Sequence, residues 1–94
     1  MAVLKLNTPA DAKQIGELQD FYDIAGLEQD LVQIQFHNGY GIDVGWYPEH
    51  DPSGCFIVTV FLNDWENWRS KVRCLTPNDV MVTVNESIQS LMSK

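Results

Sequence analysis

Two periods of hydrophobic spacing divide the chain. Thr8-Pro9-Ala10-Asp11 is a helix-start signal: Thr8 can cap free backbone N–H groups, Pro9 suits the first helical position, and Asp11 completes a capping-box-like spacing. Ile15, Leu18, Tyr22 and Ala25 follow at helical spacing, with Phe21 widening the stripe and Gly26 as a natural stop. This pattern predicts a helix over Pro9–Ala25. The period then changes to two. Val32, Ile34 and Phe36 alternate with Gln33, Gln35 and His37; Asn38-Gly39 is a type I′ turn dipeptide; Tyr40, Ile42, Val44 and Trp46 alternate with Gly41, Asp43, Gly45 and Tyr47. The pattern predicts a hairpin with bulky residues on one face. Gly41 and Gly45 leave room on the other for a bulge or a close neighbour.

Pro48 to Gly54 reads as a loop, and Cys55 to Leu62, apolar except for Thr59, as a central strand covered on both faces. Asn63 to Asn67 reads as a turn and Trp68 to Leu75 as a further strand. Thr76-Pro77-Asn78-Asp79 repeats the helix-start signal, with Met81, Val84, Ile88 and Leu91 as the stripe behind it. Val80, Val82, Thr83 and Val84 are β-branched, so a strand through Val84 is the alternative; the cap favours a helix. Residues 2–6 could add a short edge strand. The expected fold is therefore α+β: a two-layer sandwich in which a four-stranded antiparallel meander carries an N-terminal and a C-terminal helix on one face.

Composition narrows the class. Ninety-four residues suffice for one domain, 1–94, hiding about 60–65% of the unfolded surface. Hydrophobic residues are 45% and charged residues 20%, an ordinary globular balance, and no apolar run reaches the roughly 18 residues that span a bilayer. Met1 to Pro9 lacks the apolar length and cleavage site of a signal peptide, so a cytoplasmic location is expected. Thirteen acids against six bases give a net charge of −7, which argues against nucleic acid and anionic membranes as partners. Residues 11–30 carry most of that excess: Asp11, Glu17, Asp20, Asp23, Glu28 and Asp30 against Lys13 alone. Such a run is commonly a solvated helix face; it can also steer a basic protein partner toward the acids around Glu17, Asp20 and Asp23.

Candidate chemistry is sparse. Cys55 and Cys74 would lie nearly opposite in a hairpin, so a disulfide is conceivable, but a cytosolic setting favours two small apolar residues. His37, His50, Cys55 and Cys74 match no zinc spacing, and no cofactor is expected. Glu49-His50-Asp51, with Cys55 nearby, could form a small acid/base or ligand-binding cluster; a solvated turn is the plainer reading. Arg69, Lys71 and Arg73 carry half of the positive charge at period 2, close to Trp65 and Trp68. They suit either a solvated edge that resists aggregation or an interface with Trp anchors, Trp65 being the best candidate for an exposed one. An acidic helix and a basic strand make the molecule dipolar, which allows head-to-tail pairing into a homo-oligomer.

Two family resemblances bear on function. The order helix, antiparallel strands, helix resembles the double-stranded-RNA-binding domain in outline. That family grips phosphates with a basic helix start, whereas the second helix here opens Thr76-Pro77-Asn78-Asp79, which excludes that function. Leu18-Gln19-Asp20-Phe21-Tyr22, Tyr40-Gly41-Ile42, Asn63-Asp64-Trp65 and Trp68 resemble short islands of small bacterial immunity proteins from polymorphic toxin systems, across residues 18–91. Pro48 to Gly54 has no counterpart, and the resemblance carries over no binding residue. It implies a cytoplasmic, non-enzymatic inhibitor that occludes a toxin, with basic nuclease toxins as natural complements of an acidic protein.

Overall fold

The alternating middle of the chain folds as strands. The computed structural model describes residues 2–93, with the side chain of Trp65 outside the description. Its elements are β1 (Lys13–Ile15), a single 3₁₀ turn (Ile24–Gly26), β2 (Val32–Gln35), β3 (Tyr40–Tyr47), β4 (Cys55–Leu62), β5 (Asp64–Cys74) and α1 (Pro77–Met92). The strands form one five-stranded antiparallel meander in the order β1-β2-β3-β4-β5. This corrects the expected four strands and two helices: among the described residues there is one α-helix, and it follows the last strand. No helix among the described residues is long and apolar enough to cross a membrane.

The helix expected over Pro9–Ala25 does not form. Pro9 O accepts from Ala12 N at 3.1 Å, one turn closes, and the chain then extends as β1 beside β2. Gly16 sits at φ +83°, and the Leu31 carbonyl occupies the place a Cβ would need. Of the expected stripe only Leu18 is fully buried; Ile15 and Phe21 are more than half exposed. A helix buries a continuous stripe, and this segment buries one residue of it. Residues 2–4 run antiparallel to 18–20 through Leu4 N to Leu18 O (2.8 Å) and Asp20 N to Ala2 O (2.9 Å), with a single bridge at Val3 and Gln19 in place of an edge strand.

The second helix-start signal succeeds. Thr76 Oγ1 accepts from Asp79 N at 3.1 Å, Pro77 opens the helix, and Val80, Val84, Ile88 and Leu91 are buried. Five β-branched residues, Val80, Val82, Thr83, Val84 and Ile88, cost α1 about 2–3 kcal/mol of propensity. Burying four large apolar side chains returns roughly 1.5–3 kcal/mol each, so packing decides.

Register assigns the faces of the sheet. Val32, Ile34, Ile42, Val44, Trp46, Phe56, Val58, Val60 and Cys74 form the core with α1. Phe56 anchors one end of it, edge-on to Trp46 (centroids 4.8 Å apart) and to Tyr22 (5.9 Å). The β2–β3 connection departs from the expected type I′ turn. Gly39 N bonds Phe36 O and Phe36 N bonds Tyr40 O; the central residues His37 and Asn38 lack positive φ, and Gly39 after them has φ 90°, which describes a type I turn closed by a glycine bulge. On the face away from α1, the Phe61 ring lies over Gly41 and the Gln29 backbone over Gly45. These are the close neighbours that the two glycines admit.

Candidate functional site

The two edges of the sheet differ. β1 is three residues long, whereas β5 runs eleven residues and pairs only with β4. Among its described side chains only Cys74 is buried. The strand also begins earlier than the expected Trp68, because the turn closes at Asn63 (φ 66°) and Asp64 already pairs with Leu62.

Bulges rearrange the basic stripe. Val60 pairs with Ser70 but Phe61 with Trp68, so Arg69 is an extra residue in β5. Lys71 opposite Thr59, and Arg73 opposite Ile57, keep the open face, and Trp68, opposite Phe61, joins them there. Lys71 Nζ lies 4.9 Å from the Trp68 ring centroid, and Trp68 is 50% exposed. This cation–π contact holds an indole and an ammonium side by side at the surface. Arg69 instead lines a cleft on the helix side.

That cleft is open to solvent. It holds about 490 Å³ between β5 and α1, with Tyr40, Arg69, Ser70, Ser87 and Ser90 on its walls. Ser87 and Ser90, with Thr83 and Glu86, also border an adjoining hollow of about 350 Å³ beneath Val72, which is 42% exposed. α1 packs against β3, β4 and β5 and presents small hydroxyl residues toward β5, where Thr83 Oγ1 meets Cys74 Sγ at 3.5 Å. The sequence reading missed this cleft; the run of Thr83, Ser87 and Ser90 along one flank of α1 was the available signal.

The acids expected to form a helix face are elsewhere. Asp20 Oδ1 accepts from Ala2 N at 2.9 Å, and Asp23 Oδ1 caps the 3₁₀ turn through Gly26 N at 2.9 Å. Glu17 is exposed just after β1, on the same segment. The N-terminal residues that run beside this segment are held to α1 through Asn85, which accepts from Asn7 N (2.7 Å) and donates to Lys5 O (3.2 Å). The acids Glu17, Asp20 and Asp23 follow β1 at one edge of the sheet, whereas the basic residues lie on β5 at the other edge; Tyr22, within the acidic segment, reaches across to Phe56 of β4. Trp65, placed in β5 by its backbone, lies outside the described residues as a side chain.

The Glu49-His50-Asp51 loop is a buckle between the β3–β4 connection and residues 24–29. His50 Nδ1 donates to Ile24 O at 3.0 Å, and its backbone N–H to Leu27 O at 2.8 Å. Glu49 Oε1 accepts from Gln29 N at 3.1 Å, and Asp51 O accepts from Trp46 Nε1 at 2.7 Å. Two hydrogen bonds from Ser53 to its carboxylate hold Asp51 below the usual range. The three neighbours thus face three different partners.

The cysteines separate as well. Cys74 pairs with Phe56 on the helix side, while Cys55 pairs with Tyr47 on the open face, and both thiols are free. Among the described residues no three His, Cys, Asp or Glu side chains gather as a metal site. Asp43 is buried on the open face between Gln33 and Thr59 in register. Burial, then the charges of Asp43, Asp30 and Glu49, raise the Tyr47 phenol. Against known proteins, no family model, no curated sequence and no solved structure matches the chain.

Proposed function

We propose that the chain is a non-enzymatic protein-binding domain that acts in the cytoplasm and docks its partner on β5. The observation that carries this reading is the half-exposed Trp68 under Lys71, with Arg73 further along, on an edge strand that pairs only with β4. Trp and Arg dominate interface energetics because they bury large area and then exclude water from their polar contacts. An enzyme built on Glu49, His50, Asp51 and Cys55 has less support, since each of the three loop residues is committed to a separate structural contact.

The net charge of −7 favours a second reading, an immunity-type inhibitor that covers a basic partner with the acids around Glu17, Asp20 and Asp23. The two readings use different residues, so one experiment separates them. Wild type, Lys71→Glu/Arg73→Glu and Glu17→Lys serve as baits in native-host lysate at low and high salt, read by mass spectrometry. The β5 reading expects a partner that the double variant loses and Glu17→Lys keeps. The inverse pattern assigns the interface to the acidic flank. No partner with any bait overturns the binding function.

A further inference from the structure

We infer that β5 accepts an extended, acidic segment of a partner protein as a sixth strand of the sheet. This rests on the protein-binding reading above and names the chemistry of the partner. β5 pairs on one side only, so every second backbone N–H and C=O of its regular stretch, Ser70–Cys74, faces outward. Strand addition draws affinity from those groups and specificity from what alternate side chains meet. The two faces of β5 offer different environments to such a strand.

On the open face Lys71 and Arg73 are two residues apart, a spacing of roughly 6.5 Å along a strand, which matches carboxylates at alternate positions of the incoming segment. Both cations are exposed, on the strand at the opposite edge of the sheet from β1, which the acidic segment 17–23 follows. On the other face the intervening side chains meet Val72 and the mouth of the hollow lined by Thr83, Glu86, Ser87 and Ser90, where Glu86 repels acids and small uncharged groups have room. The matching ligand alternates Asp or Glu with residues such as Val or Ala.

A second copy of the chain fits this edge poorly. Antiparallel self-pairing within Ser70–Cys74 sets Lys71 against Arg73 or against itself, and like charges directly opposite are destabilising. A register pairing Lys71 with Glu66 and Arg73 with Asp64 of the second copy would be complementary, but it needs residues 64–73 in one straight strand. The register shifts at Phe61 break that strand. Glu66 N is turned onto Asp64 Oδ1 (3.0 Å), and Asn67 Nδ2 onto Leu62 O (3.1 Å).

The test uses the full chain and a labelled synthetic peptide alternating Asp and Val, followed by anisotropy and by amide exchange in nuclear magnetic resonance spectra. Binding should slow exchange at alternate amides of Ser70–Cys74 and weaken with salt. Each charge pair contributes about two- to fivefold, so Lys71→Glu/Arg73→Glu, with unchanged Tm, should lose roughly tenfold in affinity. Equal binding of a peptide with its acids clustered, or of one N-methylated along the backbone, overturns the proposal; so does binding without protection of β5 amides. Sedimentation that shows self-association through β5, resistant to the peptide, assigns the edge to a second copy and also overturns it. Failure of the peptide alongside a β5-dependent partner in the lysate overturns strand addition alone, whereas failure of both removes the protein-binding reading as well.

Discussion

Thr8-Pro9-Ala10-Asp11 and Thr76-Pro77-Asn78-Asp79 carry the same local chemistry and meet different surroundings. At Thr76 the hydroxyl accepts from Asp79 N, and sixteen helical residues follow. At Thr8 the hydroxyl donates to Gln14 Oε1, one turn closes at Ala12, and the chain extends. The difference lies downstream of the cap. Behind Pro77, Val80, Val84, Ile88 and Leu91 all reach the sheet; behind Pro9, Gly16 takes positive φ against Leu31, and Leu18 alone is fully buried. A cap lowers the cost of starting a helix, and tertiary burial decides whether the helix continues.

The largest expected effect tests that burial. Ile88→Ala should cost about 2–5 kcal/mol in urea unfolding, because it removes a fully buried side chain between α1 and the sheet. Ile15→Ala, at a position 52% exposed, should stay within about 0.5 kcal/mol. If residues 9–25 folded as a helix with Ile15 on its buried stripe, the two losses would be comparable.

Gly16→Ala comes next. An alanine there must hold left-handed backbone and push the Leu31 carbonyl aside, so a loss of about 1–2 kcal/mol or more is expected. Gly26→Ala is the control. That glycine has no positive φ, and its added Cβ would meet Asp23 Oδ1 at 3.3 Å, a small adjustment. A stabilising Gly16→Ala would mean that the segment adopts the helix its spacing suggests.

The same division explains what could be read from the chain. The β2–β3 hairpin and the central β4 were legible because alternation is a local pattern that the sheet uses directly. The α1 helix was legible despite its valines, because cap and stripe agree. The N-terminal segment was not, since contacts distant in sequence place it: the Leu31 carbonyl beside Gly16, and Asn85 clasping residues 5–7. The site was half legible. Composition picked out Arg69, Lys71, Arg73 and Trp68. It could not show that the bulge moves Arg69 to the cleft and puts Trp68 in its place, because a bulge depends on pairing with β4. The acidic run was equally visible as charge, yet its geometry dissolved with the helix it was assigned to.

The smallest effect separates the two caps themselves. Thr76→Ala removes the acceptor for Asp79 N and should cost about 1 kcal/mol, within the range of roughly 0.5–2 found when helix caps are removed. Thr8→Ala removes only a hydroxyl contact to the Gln14 side chain at a site with no helix to start, so its effect should stay within about 0.5 kcal/mol. Urea midpoints of the two variants, taken at equal m-value, give the comparison directly. Thr76→Ser should recover most of the loss, because serine supplies the same acceptor. An equal loss at both threonines would mean that Thr8 also caps a helix, and β1 would then have no segment from which to form.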